Sequence, residues 1–169
     1  MSKPKKRWIV IFALLVILQF IVLLQSEEPV ADLADTIDKA DTAWMIVATA
    51  FVLFMTPGLS FFYGGMVSFI ALGIISLLWY LVGFSLAFGD SIGGIIGNPT
   101  TYFAFKNVGL NPHPALAPTF PFLLFALFQL KFAIITPALI TGSFAERVKF
   151  TSYLIFMCLF SLLIYCPLA

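Results

Sequence analysis

The feature that most constrains this chain is a run of 48 residues, 42–89, without a single charged side chain. As one helix the run would be about 72 Å long, whereas the hydrocarbon core of a bilayer is about 30 Å thick. The run therefore predicts two membrane crossings. The turn signal within it is Gly64-Gly65, close after Pro57-Gly58. We expect spans over residues 43–63 and 68–88.

The composition agrees with a membrane protein. The chain is 62% hydrophobic and only 10% charged, with a mean hydropathy of +1.07. A soluble domain carries about 25% charged residues, so this chain has too few to cover a globular surface and lies in a lipid bilayer. The net charge is only +1, and the charged residues are separated along the chain rather than gathered in one basic patch. No nucleic-acid partner is therefore expected.

The remaining titratable residues do not suggest a cofactor. Cys158 and Cys166 both fall in the last apolar segment. Eight residues apart on one helix, they are separated by about 12 Å, which is too far for a disulfide with each other. We interpret them as buried thiols. No cluster of His, Cys and carboxylate residues offers a metal site, so neither a metal nor another cofactor is expected.

The N-terminus reads as a targeting or anchoring segment. "KPKKR" at residues 3–7 precedes the apolar "WIVIFALLVILQFIVLL" at residues 8–24. This pattern fits a signal peptide or an uncleaved membrane anchor over residues 1–26, and both remain open. In either case the basic flank stays in the cytoplasm. An acidic extracytoplasmic linker over residues 27–40 would follow, and then a membrane domain over residues 41–169.

The second half of the chain predicts two more spans. Residues 90–118 are rich in Gly and Pro and read as an extramembrane loop with room for a short interfacial helix. The third span is expected over residues 119–144, "ERVK" at residues 146–149 as a cytoplasmic turn, and the fourth span from Phe150 onward. This topology agrees with the positive-inside rule, because Arg147 and Lys149 fall on the cytoplasmic side.

The third span carries polar residues among its aromatic ones. At 100° per residue, Phe125, Phe128 and Phe132 fall within about 60° of one another, with Gln129 and Thr136 on their flank. Such phenylalanines usually contact lipid or neighbouring helices. An amide that faced lipid would be unsatisfied, however, and aromatic faces attract small cations. The pattern therefore favours a pore-lining face.

Lys131 lies near the middle of the same span, about 18 Å along the helix from Thr119. An ionisable residue at this depth is costly and suggests a functional site. No carboxylate falls inside any predicted span. Lys131 therefore needs a partner elsewhere in the protein, a water-filled cavity, or deprotonation, and no transport role is assigned to it.

Three stretches resemble a known family. "DTAWMIVATAFVLFMTPGLSFFYGGMV" (41–67) resembles the first core span of the ammonium transporters, the Amt, Mep and Rh group. "SLLWYLVGFSLAFG" (76–89) resembles the second span, and "FQLKFAIITPALITGSFAERVKF" (128–150) the third span with the turn into the fourth. "IYCPLA" (164–169) is similar to the end of the fourth. The resemblance covers nearly all of residues 41–169.

The resemblance implies an all-α, polytopic membrane bundle: about four core spans of an eleven-span fold, plus the N-terminal signal or anchor helix. It implies a homotrimer in the plasma membrane with one pore per subunit, through which ammonia and a proton cross separately after ammonium is deprotonated. Phe132 would be one of two gate phenylalanines, Phe128 a wall of the outer vestibule, and Gln129 a polar residue beside it. Phe62 and Tyr63 would line the inner mouth, with interfacial belt packing as their alternative.

The sequence departs from the family pattern in two places. "GGMV" runs directly into "SFIALG", where the family has about ten residues, including a basic turn. This predicts an internal deletion, a tight hairpin at Gly64-Gly65, and weakened packing of the second span on the first. The chain also stops at Ala169, before the family's vestibule tryptophan and pore histidines. His113 does not match a pore histidine and is expected to be a solvated loop residue.

The function expected from the resemblance is ammonium transport, with the 169 residues inactive on their own. One alternative is an inactive, truncated fragment. Another is a subunit that co-assembles with full-length transporters. An enzyme is not expected, because the predicted spans contain no acid–base pair and no nucleophile constellation.

Overall fold

The computed structural model describes residues 36–62, 65–144 and 147–169. The predicted signal or anchor segment 1–26 and residues 27–35 of the predicted linker lie outside these ranges. So do Tyr63, Gly64 and Glu146. Two of the predictions above, the inner-mouth role of Tyr63 and the start of the turn at residues 146–149, therefore concern residues outside the described part.

The described chain is a bundle of membrane-length helices. Its helical elements are α1 (Lys39–Phe62), α2 (Met66–Leu78), α3 (Phe84–Phe88), α4 (Phe122–Phe144), α5 (Phe150–Phe160) and α6 (Cys166–Leu168). Two π-helical turns, Trp79–Gly83 and Ser161–Tyr165, join α2 to α3 and α5 to α6 into continuous rods. Four stretches are long and apolar enough to cross a bilayer: Lys39–Phe62, Ser68–Phe88, Phe122–Ile140 and Phe150–Leu168. The prediction of four core spans is confirmed.

Helix α1 begins four residues before the predicted span, inside the predicted acidic linker. Asp38 explains the difference, because its Oδ1 accepts hydrogen bonds from the backbone N–H groups of Ala40 (2.7 Å) and Asp41 (3.0 Å). A carboxylate in this position satisfies N–H groups that have no partner within the helix. The backbone N–H of Asp38 also donates to the carbonyl oxygen of Thr119 at 2.7 Å. The starts of α1 and α4 are therefore level with each other.

The connection between α1 and α2 is as short as predicted. Gly65 adopts a positive φ of 49°, and α2 begins at the next residue. The N–H of Gly65 donates to the carbonyl of Ser60 (3.1 Å), and the N–H of Ser68 to that of Gly65 (3.2 Å). Helices α1 and α2 contact each other and both contact α4, but Thr56 is the one buried residue of α1 within the described ranges, so weakened packing of these two helices stays a prediction. The short turn is compatible with a three-helix contact.

Residues 89–121 form a folded loop at one end of the bundle. It contains an antiparallel pair of short strands, β1 (Ser91–Ile92) and β2 (Ile96–Gly97), with Ser91 opposite Gly97. A 3₁₀ turn follows at Phe103–Phe105. The predicted interfacial helix is thus only this one turn, and the strand pair was not predicted. We call this end of the bundle the loop end, and the end with Gly65 the turn end.

The core lies between α2, α4 and α5 and is rich in aromatic rings at the loop end. Trp79 contacts Phe84, Phe88 and Tyr165 with ring centroids 5.9–6.2 Å apart. Such edge-to-face contacts add stability beyond the burial of apolar area. The indole N–H of Trp79 donates to the carbonyl of Ala126 at 3.2 Å. This buried bond fixes the π-helical turn after α2 against α4, the helix that carries the predicted site.

Candidate functional site

Helix α4 has two faces with different surroundings. One face is buried in the bundle and carries Ala126, Leu130, Ala133 and Pro137. At 100° per residue, the opposite face carries Phe128 and Phe132, and Phe132 is 36% exposed there. The predicted pathway residues of this helix therefore point away from the described core.

Phe128 and Phe132 form a pair on this open face. Their ring centroids are 5.1 Å apart and their planes meet at 72°, an edge-to-face arrangement. The ring that offers its edge keeps both of its faces free of the partner. Since a ring face attracts a small cation over distances up to about 6 Å, the pair presents an aromatic surface suited to such an ion.

Gln129 lies beside the pair on α4 and is half-buried. Within the described ranges, its side-chain amide has no hydrogen-bond partner. An amide without a partner is costly at membrane depth. Its position at the border of the open face leaves both donor and acceptor atoms available to a polar ligand or to water.

Phe125 and Thr136, which were also expected on this face, make contacts of a different kind. Phe125 packs into the core, with its ring centroid 5.1 Å from that of Phe88 and 6.2 Å from that of Phe122. Thr136 donates its hydroxyl to the carbonyl of Phe132 at 2.8 Å, within its own helix. The predicted stripe is therefore shorter than expected and contains Phe128, Gln129 and Phe132.

Lys131 is half-buried on the flank of α4, about 100° around the helix from Phe132. Among the residues that the structure describes, its ammonium group has no hydrogen bond and no ion pair. An uncompensated cation in hydrocarbon is unfavourable. The structure gives no account of this residue, and the three alternatives drawn from the sequence stay open.

Phe62 is far from the aromatic pair. It is the last residue of α1 and is 86% exposed. Counting 1.5 Å per residue from the level helix starts, Phe62 lies about 20 Å deeper than Phe132. The structure therefore does not bring Phe62 together with Phe128, Gln129 and Phe132. Its role at an inner mouth stays a prediction.

His113 is not a free, solvated side chain, and this expectation is wrong. Its ring stacks on that of Phe122, the first residue of α4, with centroids 4.6 Å apart and planes 29° apart. Its Nε2 lies 3.2 Å from the hydroxyl oxygen of Tyr102. Aromatic stacking brings an isolated loop histidine into the fold here, and no local pattern in the sequence indicates its partners.

Tyr102 connects this histidine to α3. Its backbone N–H donates to the hydroxyl oxygen of Ser85 at 2.9 Å, and that hydroxyl donates to the carbonyl of Asn98 at 2.6 Å. Burial raises the pKa of the Tyr102 phenol above its ordinary value, and the nearby carboxylate of Asp90 adds to the increase. The phenol is therefore neutral at physiological pH and can donate or accept a hydrogen bond.

Trp79 was missed as a residue that positions the site. Its bond to Ala126 holds α4 two residues before Phe128 and three before Gln129. The sequence did carry a signal, because a tryptophan inside a membrane span must find an acceptor for its indole N–H. The identity of that acceptor could not be read from the sequence.

Comparison with known proteins gives a consistent result. The model of the Ammonium Transporter Family matches residues 43–169. An ammonium transporter of Mycobacterium tuberculosis (strain H37Rv) is 46% identical over 156 residues, which cover 78% of this chain and 33% of the relative. An ammonium transporter of Aquifex aeolicus is 44% identical over 146 residues, covering 79% of this chain and 34% of the relative.

Solved structures show the same likeness. The crystal structure of Saccharomyces cerevisiae Mep2 superimposes with a TM-score of 0.71 at 32% identity, covering 82% of this chain and 32% of that one. Candida albicans Mep2 gives a TM-score of 0.72 at 28% identity, covering 81% and 32%. This chain thus spans about a third of the length of the relatives that it matches.

Proposed function

The chain belongs to the ammonium transporter family, and from this premise we propose that its third span supplies one wall of a pathway for ammonium and ammonia across the membrane. Phe128 and Phe132 form the aromatic part of that wall, and Gln129 forms its polar border. Phe62 and Tyr63 line the far mouth of the same pathway. A transport role, rather than an enzymatic one, follows from this proposal.

The observation that carries the proposal is the direction of the aromatic pair. Phe128 and Phe132 lie in edge-to-face contact on the face of α4 that is turned away from the core. Phe125 lies on the same side of the helix but packs against Phe88 and Phe122, so the pair is the part of this aromatic stripe that the core leaves open. The open face is apolar between Gln129 on one border and Lys131 on the other, which lies about 60° around the helix from Phe128.

The chemistry of ammonium matches this surface. Ammonium is a small cation, and each ring face that it contacts replaces about 0.5–2 kcal/mol of its lost hydration. The Gln129 carbonyl oxygen can accept a hydrogen bond from an N–H of the solute. Beyond the rings, an apolar passage disfavours the charged form because it removes water from the charge. The wall thus concentrates the cation and then favours ammonia.

We further propose the assembly and orientation that the family resemblance implies. The protein is a homotrimer in the plasma membrane when the whole family fold is present. Its loop end faces outward, with residues 27–40, and its turn end with Arg147 and Lys149 faces the cytoplasm. The turn end carries Arg147 and Lys149, whereas the loop end carries Lys39 and Lys106 together with Asp38, Asp41 and Asp90, so the turn end is the more positive of the two.

A chimaera tests the proposed function. Residues 43–169 replace the matching third of the M. tuberculosis transporter, and the product is expressed in cells without ammonium transporters of their own. We expect uptake of labelled methylammonium above that of empty cells. The 169-residue chain expressed by itself should show none, because the described spans supply one wall only. A chimaera that reaches the membrane and forms trimers but does not transport would contradict the proposal.

The same cells address the alternative of a co-assembling subunit. The 169-residue chain is expressed with an intact relative, and the relative is purified from the membrane. Recovery of the chain with the relative, together with altered uptake, would favour the subunit function. If the chimaera takes up methylammonium and the 169-residue chain is not recovered with the relative, the result favours the proposal that the third span forms a wall of the pathway.

A further inference from the structure

The tight turn around His113 is held by hydrogen bonds both to the backbone of His113 and to its ring. His113 and Ala117 form a closed backbone bridge, in which each N–H donates to the other residue's carbonyl at 2.9 Å. Inside this turn, the ring Nδ1 accepts hydrogen bonds from the N–H groups of Ala115 (3.3 Å) and Leu116 (3.2 Å). An acceptor with two donors aimed at it carries no proton of its own.

The tautomer of the ring follows from these contacts. With Nδ1 unprotonated, a neutral imidazole carries its proton on Nε2. The Nε2–H then donates to the hydroxyl oxygen of Tyr102, 3.2 Å away. Both ring nitrogens are therefore engaged, and the ring face is engaged as well by stacking on Phe122.

The turn is mechanically connected to the start of α4. The N–H of Phe122 donates to the carbonyl of Asn111 at 3.2 Å, and the N–H of Leu123 to that of Gly109 at 2.9 Å. These carbonyls come shortly before His113 in the chain and take the place of an N-terminal cap. Whatever holds residues 109–117 in place therefore also holds the first turn of α4.

We propose that His113 is a pH-sensitive clasp, which in its neutral Nε2–H form closes the turn over residues 113–117 against α4 and which releases that turn when the ring takes up a second proton. Protonation places an N–H on Nδ1, where it meets the N–H groups of Ala115 and Leu116. Two hydrogen bonds are lost and replaced by donor–donor contacts, while the Nε2–H bond to Tyr102 survives. Acidification on the loop side therefore loosens the loop. This inference does not depend on the proposed transport.

Few ionisable groups lie near the histidine ring. Tyr102 is the titratable group in hydrogen-bond contact with the ring. Asp90 faces Tyr102, and its carboxylate accepts the hydroxyl of Thr101 at 3.1 Å. From α1, Asp38 reaches Thr119 through its backbone, with Lys39 beside it. The part of α4 packed on the ring, residues 122–130, has no ionisable side chain.

One contact opposes the release. A charged imidazolium would gain a cation–π contact with Phe122, on which the ring already stacks. That stack is half-exposed to solvent on the His113 side, so the gain is reduced by water. Against this single contact stand two lost hydrogen bonds, one from the part-buried N–H of Leu116 and one from the exposed N–H of Ala115. The balance favours opening.

The chain contains one histidine, so nitrogen NMR reads the clasp directly. The whole 169-residue chain is labelled with ¹⁵N-histidine and placed in lipid nanodiscs. At pH 7.5 we expect one unprotonated nitrogen assigned to Nδ1 and one protonated nitrogen assigned to Nε2. At pH 5 both should be protonated. A protonated Nδ1 at pH 7.5 would overturn the proposal, and this measurement needs no variant.

Amide hydrogen exchange in the same nanodiscs reports the release. Protection factors, which correct for the intrinsic effect of pH, should fall at least about tenfold for Ala115 and Leu116 once the ring is doubly protonated. His113→Asn is the matched control: its Oδ1 replaces Nδ1 as an acceptor and does not titrate. Protection in His113→Asn should be alike at both pH values. In His113→Gln, whose side chain is one carbon longer, it should be low at both. Unchanged protection in a doubly protonated wild-type chain would refute the clasp.

Discussion

Phe132 is the residue on which the proposed pathway depends most. It is 36% exposed on the open face of α4, with the edge-to-face contact of Phe128 beside it. In the chimaera, we expect Phe132→Ala to change methylammonium uptake by about tenfold and to weaken exclusion of other ions. The reason is that the substitution removes a ring face worth about 1 kcal/mol or more to a passing cation, together with a steric barrier.

Phe51→Ala is the control for this substitution. Phe51 is 68% exposed on α1, about 18 Å along that helix, while Phe132 lies about 15 Å along α4. Depth and residue type are therefore similar and Phe51 is the more exposed of the two, but Phe51 is not among the predicted pathway residues. Uptake should be unchanged in Phe51→Ala. Equal effects of both substitutions would indicate a general loss of packing and would remove the gate role from Phe132.

The raised pKa of the Tyr102 phenol leads to a prediction about stability at alkaline pH. Burial and the Asp90 carboxylate raise the pKa of its phenol. In the unfolded chain the phenol ionises near pH 10, so the unfolded state loses this proton first. The contribution to stability is complete below about pH 10 and declines as the pH rises from there through the pKa of the folded protein. The ultraviolet titration curve of Tyr102 is obtained by subtracting the curve of the Tyr102→Phe variant from that of the wild type. Its midpoint should lie above pH 10.

Asp90→Asn separates the two causes of this shift. The amide oxygen can still accept the Thr101 hydroxyl, but the negative charge is gone. The Tyr102 midpoint should move part of the way back towards pH 10 and stay above it, because burial is the larger cause. A midpoint at or below pH 10 in the wild-type chain would show that the phenol is solvated.

Reasoning from the sequence succeeded at the residue scale where helical periodicity determines the side of a helix on which a side chain lies. It placed Phe128, Gln129 and Phe132 on one side of a span, and the structure places them on the open face of α4. It failed for Phe125 and His113, whose partners are distant in sequence: Phe88 for the first, and Tyr102 with Phe122 for the second. Such contacts depend on how the loop folds, which no local pattern encodes.

At the scale of elements, the loop and α3 meet backbone to backbone at Gly97. A Cβ on Gly97 would overlap the carbonyl oxygen of Ser85 and lie 2.9 Å from that of Leu86. Neither oxygen belongs to a flexible side chain that could move aside. We therefore expect Gly97→Ala to destabilise the chain by about 1–3 kcal/mol. The midpoint of thermal unfolding in nanodiscs measures the effect.

Gly73→Ala tests whether this loss is specific to the close approach. Gly73 lies within α2, is exposed, and would meet no atom within 4 Å of a new Cβ. Alanine favours a helix over glycine by about 0.5–1 kcal/mol, so this variant should be slightly more stable. If Gly97→Ala unfolds at the same temperature as Gly73→Ala, the loop does not pack on α3 as described.

The spans were predicted well because their signals are long and local. The second span was expected at residues 68–88 and is found at Ser68–Phe88, and the fourth begins at Phe150 as expected. The first and third differ by three or four residues at their starts. Both errors involve caps: Asp38 extends α1 outward, and the carbonyls of Gly109 and Asn111 let α4 begin only at Phe122. Capping by a preceding loop is a tertiary contact and leaves no periodic signal.

At the scale of the whole molecule, the proposed orientation can be tested by labelling. Ile95 is 74% exposed at the loop end, and Val148 is 44% exposed at the turn end. In a background in which Cys158→Ala and Cys166→Ser remove the native thiols, single cysteines are placed at these positions. A membrane-impermeant maleimide should label Ile95→Cys in intact cells. It should label Val148→Cys only after permeabilisation, because the bilayer blocks its access.

The opposite labelling pattern would invert the proposed topology, and labelling of both positions in intact cells would show that the chain does not cross the membrane four times. The cysteine-free background alone must remain unlabelled. Charge alone supports the orientation, through Arg147 and Lys149 at the turn end. The family and the helical bundle were predictable from long ordered motifs, whereas the folded loop, with its strand pair and its histidine, was not.

The way α4 is capped has a consequence for biosynthesis. The carbonyls of Gly109 and Asn111 satisfy the first N–H groups of α4, at Phe122 and Leu123. In hydrocarbon each such group would cost several kcal/mol if left alone. The cap lies about a dozen residues before the helix, so the ribosome delivers it first. The partners of these N–H groups are therefore already synthesised when the third span emerges, and a substitution that disorders residues 109–111 would leave the start of α4 unpaired from the moment the helix forms.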